Sequence, residues 1–177
     1  MRDEGHREFA MKVFDRYMRN EYDVQSYRLC DLDPDQTIKA PDGAYIYILR
    51  LGDIDASHES VRAMTNRLDT MNILYIGGQP SGKSTARYNT LIASCRRAES
   101  FYDENGYSIN DAQRGHSVAG CLTTSLLKTG FRISHCILDL VGVSDQVDEL
   151  ELLIGYQERF HHLPPWNALR GGSSCVV

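Results

Sequence analysis

The sequence lacks any apolar run long enough to cross a bilayer, and its first ten residues, MRDEGHREFA, are too polar for the core of a signal peptide. An intracellular, cytoplasmic protein with no membrane partner is therefore expected. Closely spaced cysteines are also lacking. The five present (Cys30, Cys95, Cys121, Cys136, Cys175) are scattered, which gives neither a zinc-ligand spacing nor a disulfide framework. Reduced, mostly buried thiols are expected instead. Cys175 lies third from the end of the sequence, so it does not meet the prenylation rule. There is no internal repeat and no low-complexity segment. An excess of base is missing too: the formal net charge is −5. Phosphate binding then requires the cations to be gathered locally. Acid is concentrated early, at Asp31, Asp33, Asp35, Asp42, Asp53 and Asp55, whereas residues 82–97 hold Lys83, Arg87, Arg96 and Arg97 with no acid.

What is present is an ordinary globular composition, 42% hydrophobic and 24% charged over 177 residues, enough for one domain with a proper core. Residues 4–20 read as an amphipathic helix with Phe9, Val13, Phe14, Tyr17 and Met18 inward. The Pro-, Asp- and Gly-bearing stretch 31–43 reads as a linker, and AYIYILRL (44–51) as a strand. A helical insertion over 56–70 carries Val61, Met64 and Leu68, and NILYIG (72–77) is a second strand, followed by a turn at 78–82. A helix over 84–98 turns Tyr88, Leu91, Ile92 and Cys95 inward, and a polar loop covers 100–115. A further helix (116–129), a third strand (131–142) and a last helix (145–162) follow, the last stopped by Pro164-Pro165. The order predicts an α/β or α+β fold, a small, mainly antiparallel three-stranded sheet flanked by helices. Three regions are expected: an N-terminal helix and linker (1–42), the main domain (43–170) and a mobile tail (171–177).

Several residues recur in a telling order. Gly43-Ala44-Tyr45 opens the first strand and Tyr75-Ile76-Gly77 closes the second. Arg87 follows twelve residues after Tyr75, and Glu149 precedes a stretch that ends at Asn167. This set resembles the GIY-YIG nucleases, which include nucleotide-excision-repair incision subunits, intron homing endonucleases and several restriction enzymes. The resemblance covers roughly residues 43–170. Leu152, Leu153 and Tyr156 stand three, four and seven residues after Glu149, as in the family's glutamate helix; Glu151 is the alternative but breaks that register. Ala44 replaces the family's central Ile, and an insertion of about twenty residues separates the two strand motifs.

The resemblance implies a metal-dependent endonuclease acting on nucleic acid, with double-stranded DNA the expected form. Glu149 would hold one Mg²⁺ (or Mn²⁺) with several waters, as that hard ion prefers. Tyr45 would act as general base or orient the attacking water, and Tyr75 would position the phosphate or a metal-bound water. Arg87 would clamp the phosphate with its fork of donors, and Asn167 would orient these groups. Lys83 and His116 are further candidate phosphate contacts. A homodimer would suit a symmetric cleavage site, with the N-terminal helix and the 100–115 loop as possible gripping or dimer-forming parts. Taken singly, each residue has a plainer role: strand tyrosines pack, and helical Arg and Glu are usually solvated.

A rival motif overlaps this one. Residues 77–84, GGQPSGKS, match the phosphate-binding loop G-x-x-x-x-G-K-[ST]. Backbone N–H groups would then cradle a nucleotide, Lys83 would reach its terminal phosphates, and Asp139 could supply a second metal carboxylate. Such an NTPase or kinase needs several parallel strands, and only one strong strand follows the motif. A catalytically idle module that binds nucleic acid or a protein is the third reading. His161-His162 point in different directions on a helix and do not read as a metal pair.

Overall fold

The computed structural model describes residues 4–33, 36–39, 42–52, 68–79, 87–107, 126–143, 147 and 149–167. Helix α1 (Glu4–Met18) leads to strand β1 (Val24–Arg28), then β2 (Tyr45–Leu51), β3 (Ile73–Gln79), helix α2 (Arg87–Asn105), β4 (Cys136–Gly142) and helix α3 (Glu149–Phe160). The sheet has four strands rather than the expected three, in the order β1-β4-β2-β3, and every pairing is antiparallel. The extra strand is β1. Its sequence VQSYR is short and alternates only weakly, because it pairs on one side alone and stays largely exposed.

Alternation along β2 sorts the two layers. Tyr45, Tyr47, Leu49 and Leu51 face α2 and join Tyr88, Leu91, Ile92, Cys95 and Trp166 in one core. Ile46 and Ile48 face the other way and join Val13, Phe14 and Tyr17 of α1 with Leu152, Tyr156 and Phe160 of α3. Burying each such aliphatic or aromatic side chain contributes about 1.5–3 kcal/mol, which is why these short strands hold. The N-terminal region is thus part of the same sheet and core as the rest. Phe9, expected inward, is 41% exposed; it lies beside the helix stripe of Ala10, Val13, Phe14 and Tyr17 rather than within it.

Other boundaries shift for local reasons. Helix α2 runs to Asn105, through residues expected as loop, and Tyr102 keeps its last turns against the core. Ile133–His135 form a 3-10 turn before β4, and Leu127–Thr129 another. Helix α3 ends at Phe160, before the prolines, because His161 takes a left-handed conformation (φ 64°). The expected turn at Gly78 and Gln79 is the end of β3. Most of the 56–70 insertion, residues 116–125 of the expected helix, and the tail lie outside the described residues; Leu68 is exposed. Cys30, Cys95 and Cys136 are not in disulfides, and the last two are buried. Among the described residues, no helix is long and apolar enough to cross a membrane.

Helices α1 and α3 pack through interlocked aromatics: Phe14 meets Tyr156 and Phe160 edge-on, with ring centroids 5.7 and 5.9 Å apart. The close approach depends on Gly155, where a Cβ would strike the Ala10 carbonyl and the Phe14 side chain. Gly155→Ala is expected to destabilise the protein by about 3 kcal/mol, the upper range for overpacking a core. Urea denaturation measures this, and a change under about 0.5 kcal/mol, as at an ordinary surface site, would contradict the packing account.

Candidate active site

The site is built on the last residues of β3. Strand β3 lies at one edge of the sheet, with β2 as its neighbour. Edge strands present backbone N–H and C=O groups that need partners. The Leu74 carbonyl accepts from the Trp166 N–H at 2.9 Å. Ile76 is held at both backbone atoms by Asn167, whose Oδ1 accepts from the Ile76 N–H at 2.8 Å and whose Nδ2 donates to its carbonyl at 2.7 Å. The Gly78 N–H donates to Glu149 Oε2 at 2.9 Å, and the Gly78 carbonyl accepts from Arg87 Nη1 at 3.3 Å. Residues far apart in the chain are thereby gathered along one strand edge.

The two glycines have separate steric reasons. A Cβ on Gly77 would land on the Tyr47 ring and hydroxyl, and one on Gly78 would come within 3.0 Å of Glu149 Cβ. Gly77 thus leaves room on the α2 face for a tyrosine, and Gly78 leaves room on the α3 face for the carboxylate. Packing alone accounts for Gly77-Gly78.

That geometry brings a second first-strand tyrosine to the glycines. Tyr45 was expected to be the first-strand tyrosine of the site. The register instead places Tyr45 opposite Gln79 and Tyr47 opposite Gly77, one diagonal step from Tyr75. Tyr47 and Tyr75 have ring centroids 5.9 Å apart. Tyr45 packs against Tyr88 at 5.7 Å, and burial raises its pKa. The Tyr47 phenol is pushed well above the usual tyrosine range, first by burial and then by the neighbouring Tyr75. The Arg87 charge acts against this shift and the Glu149 charge with it, so both charges reach Tyr47. Its hydroxyl is buried and has no hydrogen-bond partner among the described residues. The structure therefore brings together Tyr47, Tyr75, Arg87 and Glu149, and leaves Tyr45 two pairs further along the register. The signal in the sequence was the i, i+2 repeat of tyrosine in AYIYI, which puts both rings on one face.

Glu149 and Glu151 are separated cleanly. Glu149, half-buried, turns to Gly78, whereas Glu151 is buried towards α1, its Oε1 3.7 Å from His6 Nε2. Asn167, only 4% exposed, holds the backbone of β3 and so acts on the site by fixing Tyr75 and Gly77 on either side of Ile76. Asn167→Ala would leave a buried N–H and C=O unpaired. The expected loss is about 2–6 kcal/mol of stability at roughly 1–3 kcal/mol per orphaned group; a thermal melt within a degree of wild type would contradict this role. Lys83 and His116 lie outside the described residues, as do residues 80–84 of the rival loop.

Asp139 does not join the site. It sits in the middle of β4, which β2 separates from β3, and it is 2% exposed. Tyr17 donates to it at 2.9 Å, Ser26 at 2.6 Å and Arg50 Nε at 2.7 Å. These bonds satisfy the carboxylate inside the fold on the α1 side. Among the described residues, no three of His, Cys, Asp and Glu gather in a way that could hold a metal ion. No protein-family model, curated protein or solved structure significantly matches the chain.

Proposed function

We propose that the protein is a metal-dependent phosphodiesterase of the GIY-YIG type that cuts nucleic acid, with Tyr47 rather than Tyr45 as the first-strand tyrosine of the site. The observation that supports this most is the convergence of Tyr47, Arg87 and Glu149 on Gly77 and Gly78, with Tyr75 packed beside Tyr47. The donor set suits Mg²⁺: one hard carboxylate at Glu149, beside a buried hydroxyl with no described partner, leaves an ion that prefers oxygen room to keep its waters. Bound there, such an ion would supply positive charge at the scissile phosphate and a more acidic water. Glu149 is aimed by its bond to the Gly78 N–H. Arg87, at the exposed start of α2, offers its guanidinium to a phosphate oxygen. Tyr47, held protonated by burial, orients the attacking water or a phosphate oxygen as a hydrogen-bond donor. Tyr75 packs its ring beside Tyr47 and holds that phenol in place.

The nucleotide-binding alternative has less support, because β3 pairs only antiparallel and Asp139 is consumed elsewhere. The idle-module reading is favoured by one observation: Glu149, Arg87 and Asn167 each bond to the β3 backbone, a sufficient structural reason for all three. The experiment is plasmid nicking with Mg²⁺ or with chelator, run beside ATP and GTP hydrolysis. Metal-dependent nicking without nucleotide turnover is the expected result. Nucleotide turnover with intact plasmid would overturn it.

A further inference from the structure

The charge along the chain has one discontinuity that the catalytic cluster does not use up. Between Asp69 and Glu99 there is no acidic residue, yet the interval holds Lys83, Arg87, Arg96 and Arg97, in a chain whose net charge is −5. Three of these cations lie on α2. The helix buries Tyr88, Leu91, Ile92, Ser94, Cys95 and Ala98. Its exposed residues Arg87, Thr90, Ala93 and Arg97 follow spacings of three, three and four, one continuous stripe. Arg96 flanks it, half-buried, with Nη1 3.2 Å from the Asp33 carbonyl.

The acids that end the interval are engaged elsewhere. Glu99 accepts from the Ile133 N–H, and burial raises its pKa. Asp103 pairs with Arg132 at 2.6 Å. Among the described residues of α2, the stripe therefore carries cations from the end that meets Gly78 to Arg97, and its exposed acids, Asp103 and Glu104, stand beyond them in the last turns.

We infer that the exposed stripe of α2 from Arg87 to Arg97 is a track for a nucleic-acid phosphate backbone leading out of the site. This inference rests on the nuclease reading and adds the direction in which the substrate leaves. Ten residues of helix span about 15 Å. At about 3.4 Å of duplex axis per phosphate of one strand, that covers roughly four nucleotides. Thr90 and Ala93 are small enough to let a backbone lie close. DNA and RNA share the chemistry such a track would recognise.

The test measures binding in a Glu149→Gln background, so that substrate survives, with labelled duplex DNA, single-stranded DNA and an RNA hairpin over a range of salt. Arg97→Glu is expected to weaken binding of the preferred nucleic acid about tenfold and to lower the slope of log K against log salt by about one. Lys12→Glu, on α1 in the opposite layer, is expected to change neither. Whichever nucleic acid loses affinity in Arg97→Glu is the substrate class. Unchanged affinity and slope in Arg97→Glu, with the background variant binding well, would overturn the track and leave the nuclease reading standing. Absence of binding to all three probes by the background variant, with no nicking by wild type, would overturn both.

Discussion

Glu149→Gln is expected to reduce Mg²⁺-dependent cleavage by about a thousandfold, roughly 4 kcal/mol of transition-state stabilisation, while leaving the unfolding midpoint nearly unchanged. The substitution is chosen for what it preserves. An amide oxygen can still accept from the Gly78 N–H, as Glu149 Oε2 does at 2.9 Å, so the end of β3 stays pinned. What disappears is the negative charge, and a hard divalent ion held by one carboxylate loses most of its protein anchor with it. Glu149→Ala would confound the two effects, because it also leaves the Gly78 N–H without its acceptor. Initial nicking rates and urea denaturation on the same preparations separate them. Full activity in Glu149→Gln would reduce Glu149 to a lock on an edge strand.

The second large effect concerns the choice between two tyrosines. Tyr47→Phe is expected to lower the cleavage rate about a hundredfold, at the lower end of what a positioned proton donor or acceptor contributes. Stability should hold or rise slightly, because the lost hydroxyl is buried without a described partner. Tyr45→Phe should stay within about twofold of wild type, since acid–base assistance of the kind that yields a hundredfold is assigned to the other ring. The Arg87 and Glu149 charges both act on Tyr47, whereas the Tyr45 ring packs on Tyr88. The comparison removes one oxygen from each of two rings on the same face of the same strand. Steady-state rates at saturating substrate decide it, and a larger loss in Tyr45→Phe would return the assignment to Tyr45.

These expectations show where the sequence was legible. Hydrophobic period sufficed for α1, β2, β3 and α3, whose inward residues form the two cores. It failed at β1, because an exposed edge strand with little apolar content has almost no period to read. It failed at the end of α2, where the residues after Ala98 are mostly polar. Tyr47 was not singled out in the sequence, for a different reason. A tight hairpin fixes the register of its strands, but β2 and β3 are joined by residues 52–72, too long a connection to count across. Only the observed pairing of Tyr47 with Gly77 settles which ring stands opposite the glycine. The helical register pointed to Glu149, which the structure sets against the Gly78 N–H; the structural part of Asn167 was not legible, since nothing in Pro-Trp-Asn announces an amide gripping both backbone atoms of Ile76.

The central claim is that Tyr47 and Glu149 work on one phosphate, and a double-variant cycle tests it most directly. Cleavage rates are compared for wild type, Tyr47→Phe, Glu149→Gln and the pair combined. Members of a single catalytic unit are strongly non-additive, so the combined variant should be little slower than Glu149→Gln alone. Losses that simply multiply, or a single variant that cleaves as well as wild type, would contradict the account.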